Sequence, residues 1–234
     1  MAELPIDIWS DIACPWCYVG KRRLERALEQ FPARESVRVI WHAFELDPSA
    51  PRQSPNTGPY AERLDKKYGS SVREAQTRID HLVSLAKAEG LDMDFEHIRP
   101  GNTFDAHRVL HYALETGLQD AVKEHFLRGY LSEGEAIGEP EVVLRLAVRA
   151  GLSADQVSAI LSSDTYAREV RADEAEAQRL GIRGVPFFVM AGRYGLSGAQ
   201  PAETLLRALN QAWSELEAKP VEFAEGAACG PEGC

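Results

Sequence analysis

Leu4, Ile6 and Ile8 alternate with Pro5, Asp7 and Trp9, the period of a half-buried strand, predicted over 4–11. The period then lengthens. Leu24, Ala27, Leu28 and Phe31 recur at helical spacing in a run from Tyr18 to Gln30, which Pro32 ends. Val37 to Leu46 is rich in β-branched and aromatic residues and reads as a second strand. A strand, helix, strand unit of this kind makes a parallel crossover, which buries its strands.

From Asp47 the texture changes, with Pro48, Pro51, Pro55 and Pro59 in an extended connector. The block from about Tyr60 to Ser163 shows no strand pattern but five helical stripes. These are Val72, Ile79, Leu82, Val83 and Ala86; Phe104, His107, Leu110, His111 and Leu114; Val122, His125, Phe126 and Tyr130; Val142, Val143 and Leu146; and Val157, Ile160 and Leu161. Gly90, Gly117 and Gly151 stand where helices should stop, and Ser153 where one should start. Thr165 to Leu180 is again helical. Gly184 to Met190 is an apolar strand entered through Pro186, Arg193 to Leu196 its hairpin partner, and Leu205, Leu209, Ala212, Trp213 and Leu216 mark a last helix. Strand, helix, strand at the start and strand, strand, helix at the end assemble a mixed four-stranded sheet, an α/β fold with the middle helices inserted.

With 234 residues the chain can bury a core without staples. Its start lacks a basic, apolar leader and no stretch approaches bilayer-spanning length, so a soluble cytoplasmic protein without membrane attachment is expected. A formal charge of -10 argues against nucleic acid as partner. Lys21-Arg22-Arg23 and Lys66-Lys67 read as solvated helix faces. Oligomeric state is not legible in the pattern.

Chemistry concentrates at Cys14-Pro15-Trp16-Cys17, where the first strand turns into the first helix. The first helical turn offers unpaired N–H groups and the positive end of the macrodipole, both of which favour a thiolate. Cys14 is the expected nucleophile, Pro15 suits the first helical position, and Cys17 is the resolving thiol. Half of a zinc site is the competing reading. It needs two further soft ligands at matching spacing, whereas the remaining cysteines are Cys229 and Cys234 at the chain end, so no metal is expected. His107 and His111 have a spacing able to bind metal from one helix face but fit the apolar stripe through Phe104 and Leu110 better. Trp16 is expected to be exposed and Trp9, Trp41 and Trp213 to lie in the core. Gly230-Pro231 can turn the tail so that Cys229 and Cys234 meet, and two tethered thiols have a high effective concentration near the chain's own dithiol. They are read as a pair exchanging with Cys14 and Cys17.

CPWC after the first strand, a helical insertion, and Gly184-Val185-Pro186 opening a late strand resemble a thioredoxin fold of the DsbA type. Asn102-Thr103, Ala106-His107-Arg108, Ser197-Gly198-Ala199-Gln200 and the terminal CxxxxC look most like its cytoplasmic FrnE-like branch. The resemblance implies a thioredoxin-fold part over 1–57, a helical subdomain over 58–163, the rest of the thioredoxin fold over 164–219 and a flexible tail over 220–234. It also implies a cis Pro186 packed against the dithiol, with the Val185 backbone offering strand-like bonds to a substrate, and Asn102, Thr103 and His107 along the groove. The implied activity is disulfide oxidation, reduction or isomerisation on protein thiols, with no bound cofactor, glutathione as a candidate co-substrate, and a thiol reductant or oxidant for recycling. The dipeptide Pro-Trp replaces the Pro-His of DsbA, which implies a less depressed Cys14 pKa and a less oxidising couple. No carboxylate stands at the offset of the family's buried acid; Asp11 is nearer and Asp7 farther, so no proton acceptor is assigned. A glutathione-dependent isomerase or transferase of the 2-hydroxychromene-2-carboxylate isomerase or kappa type is the alternative, but such relatives typically carry serine where Cys14 stands.

Overall fold

The computed structural model describes residues 3–52, 58–69 and 71–217. Strand β1 (Leu4–Ser10) leads through the CPWC segment into helix α1 (Pro15–Glu29), and β2 (Val37–Ala43) follows. The strand was expected to run to Leu46, but β2 ends at Ala43. The Leu46 amide donates to an Asp11 carboxylate oxygen at 2.8 Å instead of continuing a ladder. Helices α2 (Tyr60–Tyr68), α3 (Val72–Ala88), α4 (Phe104–Glu115), α5 (Gln119–Leu131), α6 (Pro140–Arg149) and α7 (Ala154–Leu161) come next. Then α8 (Ala167–Arg179), β3 (Phe187–Met190), β4 (Tyr194–Ser197) and α9 (Ala202–Glu217) complete the described chain. Gly90, Gly117 and Gly151 follow α3, α4 and α6 with positive φ, as the stop signals predict. Among the described residues no helix is long and apolar enough to cross a membrane.

The sheet order is β2-β1-β3-β4, with β1 and β2 parallel and the other pairs antiparallel. Ile6 faces Val39 on one side and Met190 on the other, so the alternating apolar residues of β1 lie at the centre of the sheet. Leu4, Ile6 and Ile8 pack with Leu24 and Ala27 of α1, Phe31 just past its end, Phe188 of β3, and Leu205 and Leu209 of α9. A second core lies among the inserted helices, through Val109, Leu110, Val122, Phe126, Val143 and Leu146. Ile12, Tyr18 and Val19 belong to this second core rather than the first. The segment carrying the cysteines therefore runs along the seam between the two.

Expectations for single side chains also need correction: Leu114 and Leu216, near the ends of α4 and α9, match their stripes in spacing but are each 37 % exposed. Val72 matches the α3 stripe in spacing but is 44 % exposed, because it is the first residue of the helix and projects beyond the packed turns. Lys21 is not solvated. It is buried where α1 meets α5, with Glu25, Asp120 and Glu124 around its ammonium. Trp9 and Trp41 are buried, whereas Trp213 is only half-buried, edge-on to Phe31 at 6.2 Å.

Candidate active site

Cys14 is the N-cap of α1 and Pro15 occupies its first turn, where a missing N–H costs nothing. Cys17 N–H donates to the Cys14 carbonyl at 3.0 Å, the bond that closes this turn and sets the two side chains on one side. Both cysteines are free thiols, with Cys14 4 % exposed and Cys17 fully buried. The Cys14 thiol donates to the Val185 carbonyl at 3.5 Å. The Val185–Pro186 peptide is cis, as the resemblance implied. Gly198 N–H donates to the Pro186 carbonyl at 2.8 Å and ties this loop to the end of β4. Gly20 permits its approach to α1, since a Cβ there would stand 2.9 Å from Pro186 Cγ.

The hydrogen bond between the sulfurs, then burial, hold the Cys14 thiol well above its ordinary range. Burial also opposes ionisation of Cys17, but the bond from Cys14, the charge of Lys123 and the Ser10 hydroxyl outweigh it and bring its pKa down. The two sulfurs lose their protons as a pair, so the opposite shifts describe the dithiol as a unit. No side chain caps the start of α1, so the dipole acts on Cys14 without help.

Asp11, three residues before Cys14, is buried and accepts from Ala13 N–H at 3.3 Å and Leu46 N–H at 2.8 Å. His107 Nε2 lies 3.4 Å from the same carboxylate. Burial would raise the Asp11 pKa, yet the bonds from His107, Leu46 and Thr103 leave it below the usual value. Burial keeps His107 below its ordinary pKa, so the ring is a neutral donor. Lys123 of α5 reaches the same interior from the other side, 0 % exposed, with Nζ 3.5 Å from the Ser10 carbonyl. Sequence reading did not single out Lys123 or Ser10. The usable signal was Lys123 between Gln119, Phe126 and Leu127 on the buried face of α5.

A cavity of about 700 Å³ opens beside Cys14. Pro15, Trp16, Val185, Thr103, Arg63 and Phe95 are among its walls, so β3's entry loop, the helix start and the inserted helices all contribute. Trp16 is 38 % exposed, as expected. Of the three groove candidates only Thr103 lines the cavity. Asn102 instead donates to Glu45 at 3.2 Å and accepts from Phe104 N–H at 2.9 Å, which fixes the start of α4. His107 stands behind Asp11. His111 turns to Asp173, 3.0 Å away, so the two histidines do not share a site. No group of metal-ligating side chains occurs among the described residues. Cys229 and Cys234 lie outside the described residues.

The profile of the DSBA-like thioredoxin domain family matches residues 5–210. The probable DsbA oxidoreductase SCO1869 of Streptomyces coelicolor superposes with a TM-score of 0.86 at 46 % identity, covering 99 % of this chain and 98 % of that one. The Bacillus subtilis protein YwbO is 27 % identical over 208 residues, 88 % of this chain and 95 % of YwbO. A 2-hydroxychromene-2-carboxylate isomerase shares the fold with a TM-score of 0.63 at 18 % identity, over 91 % of this chain and 95 % of that one.

Proposed function

The chain belongs to the DSBA-like thioredoxin domain family, and from that premise we propose that it catalyses thiol–disulfide exchange through Cys14 and Cys17. The observation that carries this reading is a pair of free thiols in the first turn of α1, with Cys14 against the Val185 carbonyl at the wall of a cavity. Cys14 is the sulfur nearer solvent, so it makes and breaks the bond to substrate, and Cys17 resolves the mixed disulfide. The Val185 carbonyl accepts from the Cys14 thiol in the resting dithiol. Once Cys14 is bonded to substrate sulfur that carbonyl is free, and a substrate backbone N–H can take the place of the thiol. Pro186 has no N–H to compete beside it. Substrates are protein thiols and disulfides bound as extended segments, with glutathione as an exchange partner and a thiol reductant or oxidant for recycling.

We place the reaction in the cytoplasm and assign the chain to the FrnE-like branch, with Cys229 and Cys234 as a second pair relaying electrons to Cys14 and Cys17. Insulin reduction and scrambled-ribonuclease refolding test the central reading. Wild type is active in at least one assay, Cys14→Ser in neither, and Cys17→Ser accumulates a mixed disulfide with substrate. Removal of residues beyond Gly226 slows turnover if the second pair relays electrons. Retention of activity by Cys14→Ser would mean instead that the chain activates the sulfur of a bound thiol, as the isomerase class does.

A further inference from the structure

Among the described residues, Lys123 is a buried cation without a carboxylate partner. Its contacts among the described residues are the Ser10 carbonyl at 3.5 Å and the Trp41 ring, whose centroid is 5.5 Å from Nζ. The nearby Asp11 carboxylate is occupied by the amides of Ala13 and Leu46 and by His107. Ser10 adds a second polar group, since its hydroxyl is buried and, among the described residues, has no nitrogen or oxygen partner, which leaves it to the Cys17 sulfur. A bare ammonium and a buried hydroxyl beside one another are costly in a dry interior unless an anion completes them. The sulfur they share as neighbour is Cys17.

We propose that Lys123, delivered by the inserted helix α5, is the counter-charge of a Cys17 thiolate and, together with the Ser10 hydroxyl, positions the resolving sulfur as an anion. This rests on the dithiol reading above and extends it to the second half of the reaction. Cys14 attacks a substrate disulfide as its thiolate, and the first substrate sulfur leaves as a thiolate that takes a proton from solvent. Cys17, left without Cys14 as a hydrogen-bond donor, gives its own proton to solvent, and Lys123 and Ser10 hold the resulting anion. The Cys17 electron pair then forms the Cys14–Cys17 bond, the bond from Cys14 to substrate breaks, and the second substrate sulfur leaves as a thiolate that takes a proton from solvent. Two electrons pass from the dithiol to the substrate, and Lys123 stays an ammonium throughout.

Burial brings the Lys123 pKa down to about 8, against the pull of Cys17, Asp11 and Cys14 and with a push from Lys21 of α1. His107 of α4 is held neutral by burial and adds no competing cation.

The test is a titration of thiolate absorbance in a protein whose Cys14, Cys229 and Cys234 are replaced by serine, so that Cys17 alone reports. Lys123→Met should raise the midpoint by about one unit or more, and Lys123→Arg should hold it near the parent value. Ser10→Ala should raise it in the same direction. In the protein with its dithiol intact, the equilibrium with glutathione should move toward the disulfide by about tenfold per unit of that change in Lys123→Met. An unshifted Cys17 midpoint in folded Lys123→Met and Ser10→Ala proteins overturns the proposal. Should Lys123→Met fail to fold, an unshifted Ser10→Ala overturns it alone. A wild type without exchange activity whose Cys17 still responds to Lys123 would sink the dithiol reading and leave the electrostatic assignment standing.

Discussion

At Gly20 a hydrogen stands where any other residue would put a methyl group, and the space beyond belongs to Pro186 Cγ at 2.9 Å and Phe188 Cζ at 3.3 Å. Alanine would gain about 1 kcal/mol in helix preference. It would lose about 1–3 kcal/mol to overpacking, because the proline ring is rigid and its loop is tied by the bond from Gly198. The second effect wins, so Gly20→Ala should lower the urea-unfolding free energy by about 1 kcal/mol and slow insulin reduction, since the displaced atoms carry the Val185 carbonyl. An unchanged rate in a destabilised protein would separate packing from catalysis here. At the same scale, Cys14 and Cys17 announce their chemistry by type and spacing and were legible in the sequence, and Pro186 was legible through the family resemblance. Lys123, Ser10 and the engagement of Asp11 were not, because a buried polar residue shows its purpose only through neighbours far along the chain.

Among the elements, α8 is fastened to the sheet by one carboxylate. Asp173 accepts from His42 Nδ1 at 2.7 Å and from Ala43 N–H at 2.7 Å, and its carbonyl accepts from Trp9 Nε1 at 3.0 Å. His42 gives its other nitrogen to Asp7 at 2.9 Å and stacks on Trp9 with centroids 4.6 Å apart. His111 of α4 approaches the same carboxylate, so sheet, α8 and inserted helices meet there. Burial lowers the His42 pKa, but the bonds to Asp173 and Asp7 outweigh it and raise the value to about 9. A pKa raised on folding contributes stability that is complete below the unfolded value near 6.5 and disappears as pH rises through about 9. With the imidazole a fifth exposed, the contribution is about 1–2 kcal/mol. The wild type should therefore exceed His42→Gln in unfolding free energy near neutral pH and converge with it at about pH 10; a constant difference across that range would mean that His42 acts by packing alone. Helix and strand periods predicted the elements this clamp joins, and they missed where β2 leaves the sheet. Asp11 and Asp173 take amides from the β2 end and its exit, and no local pattern records such bonds.

For the whole molecule, the decisive arrangement is two hydrophobic cores with the dithiol in the seam between them. The division into sheet and inserted helices followed from the change of period along the chain. That α5 also carries the Lys123 ammonium into this interior follows only from how the inserted helices dock. This makes the stability of the fold a function of its electron count. Oxidation removes the sulfur anion that draws on Lys123, so the disulfide form either keeps a buried ammonium with only Asp11 as nearby counter-charge or gives up its proton, at a cost in both cases. A thermodynamic cycle over redox state and the Lys123 side chain isolates the cost. With Cys229 and Cys234 replaced by serine, Lys123→Met should raise the melting temperature of the oxidised protein and lower or spare that of the reduced one, a double difference of several degrees in calorimetry. Equal shifts in both forms would mean that the helices do not sense the sulfurs. Unequal shifts would mean that losing two electrons at the seam loosens the grip of the inserted helices on the sheet, so that heat resistance reports oxidation state.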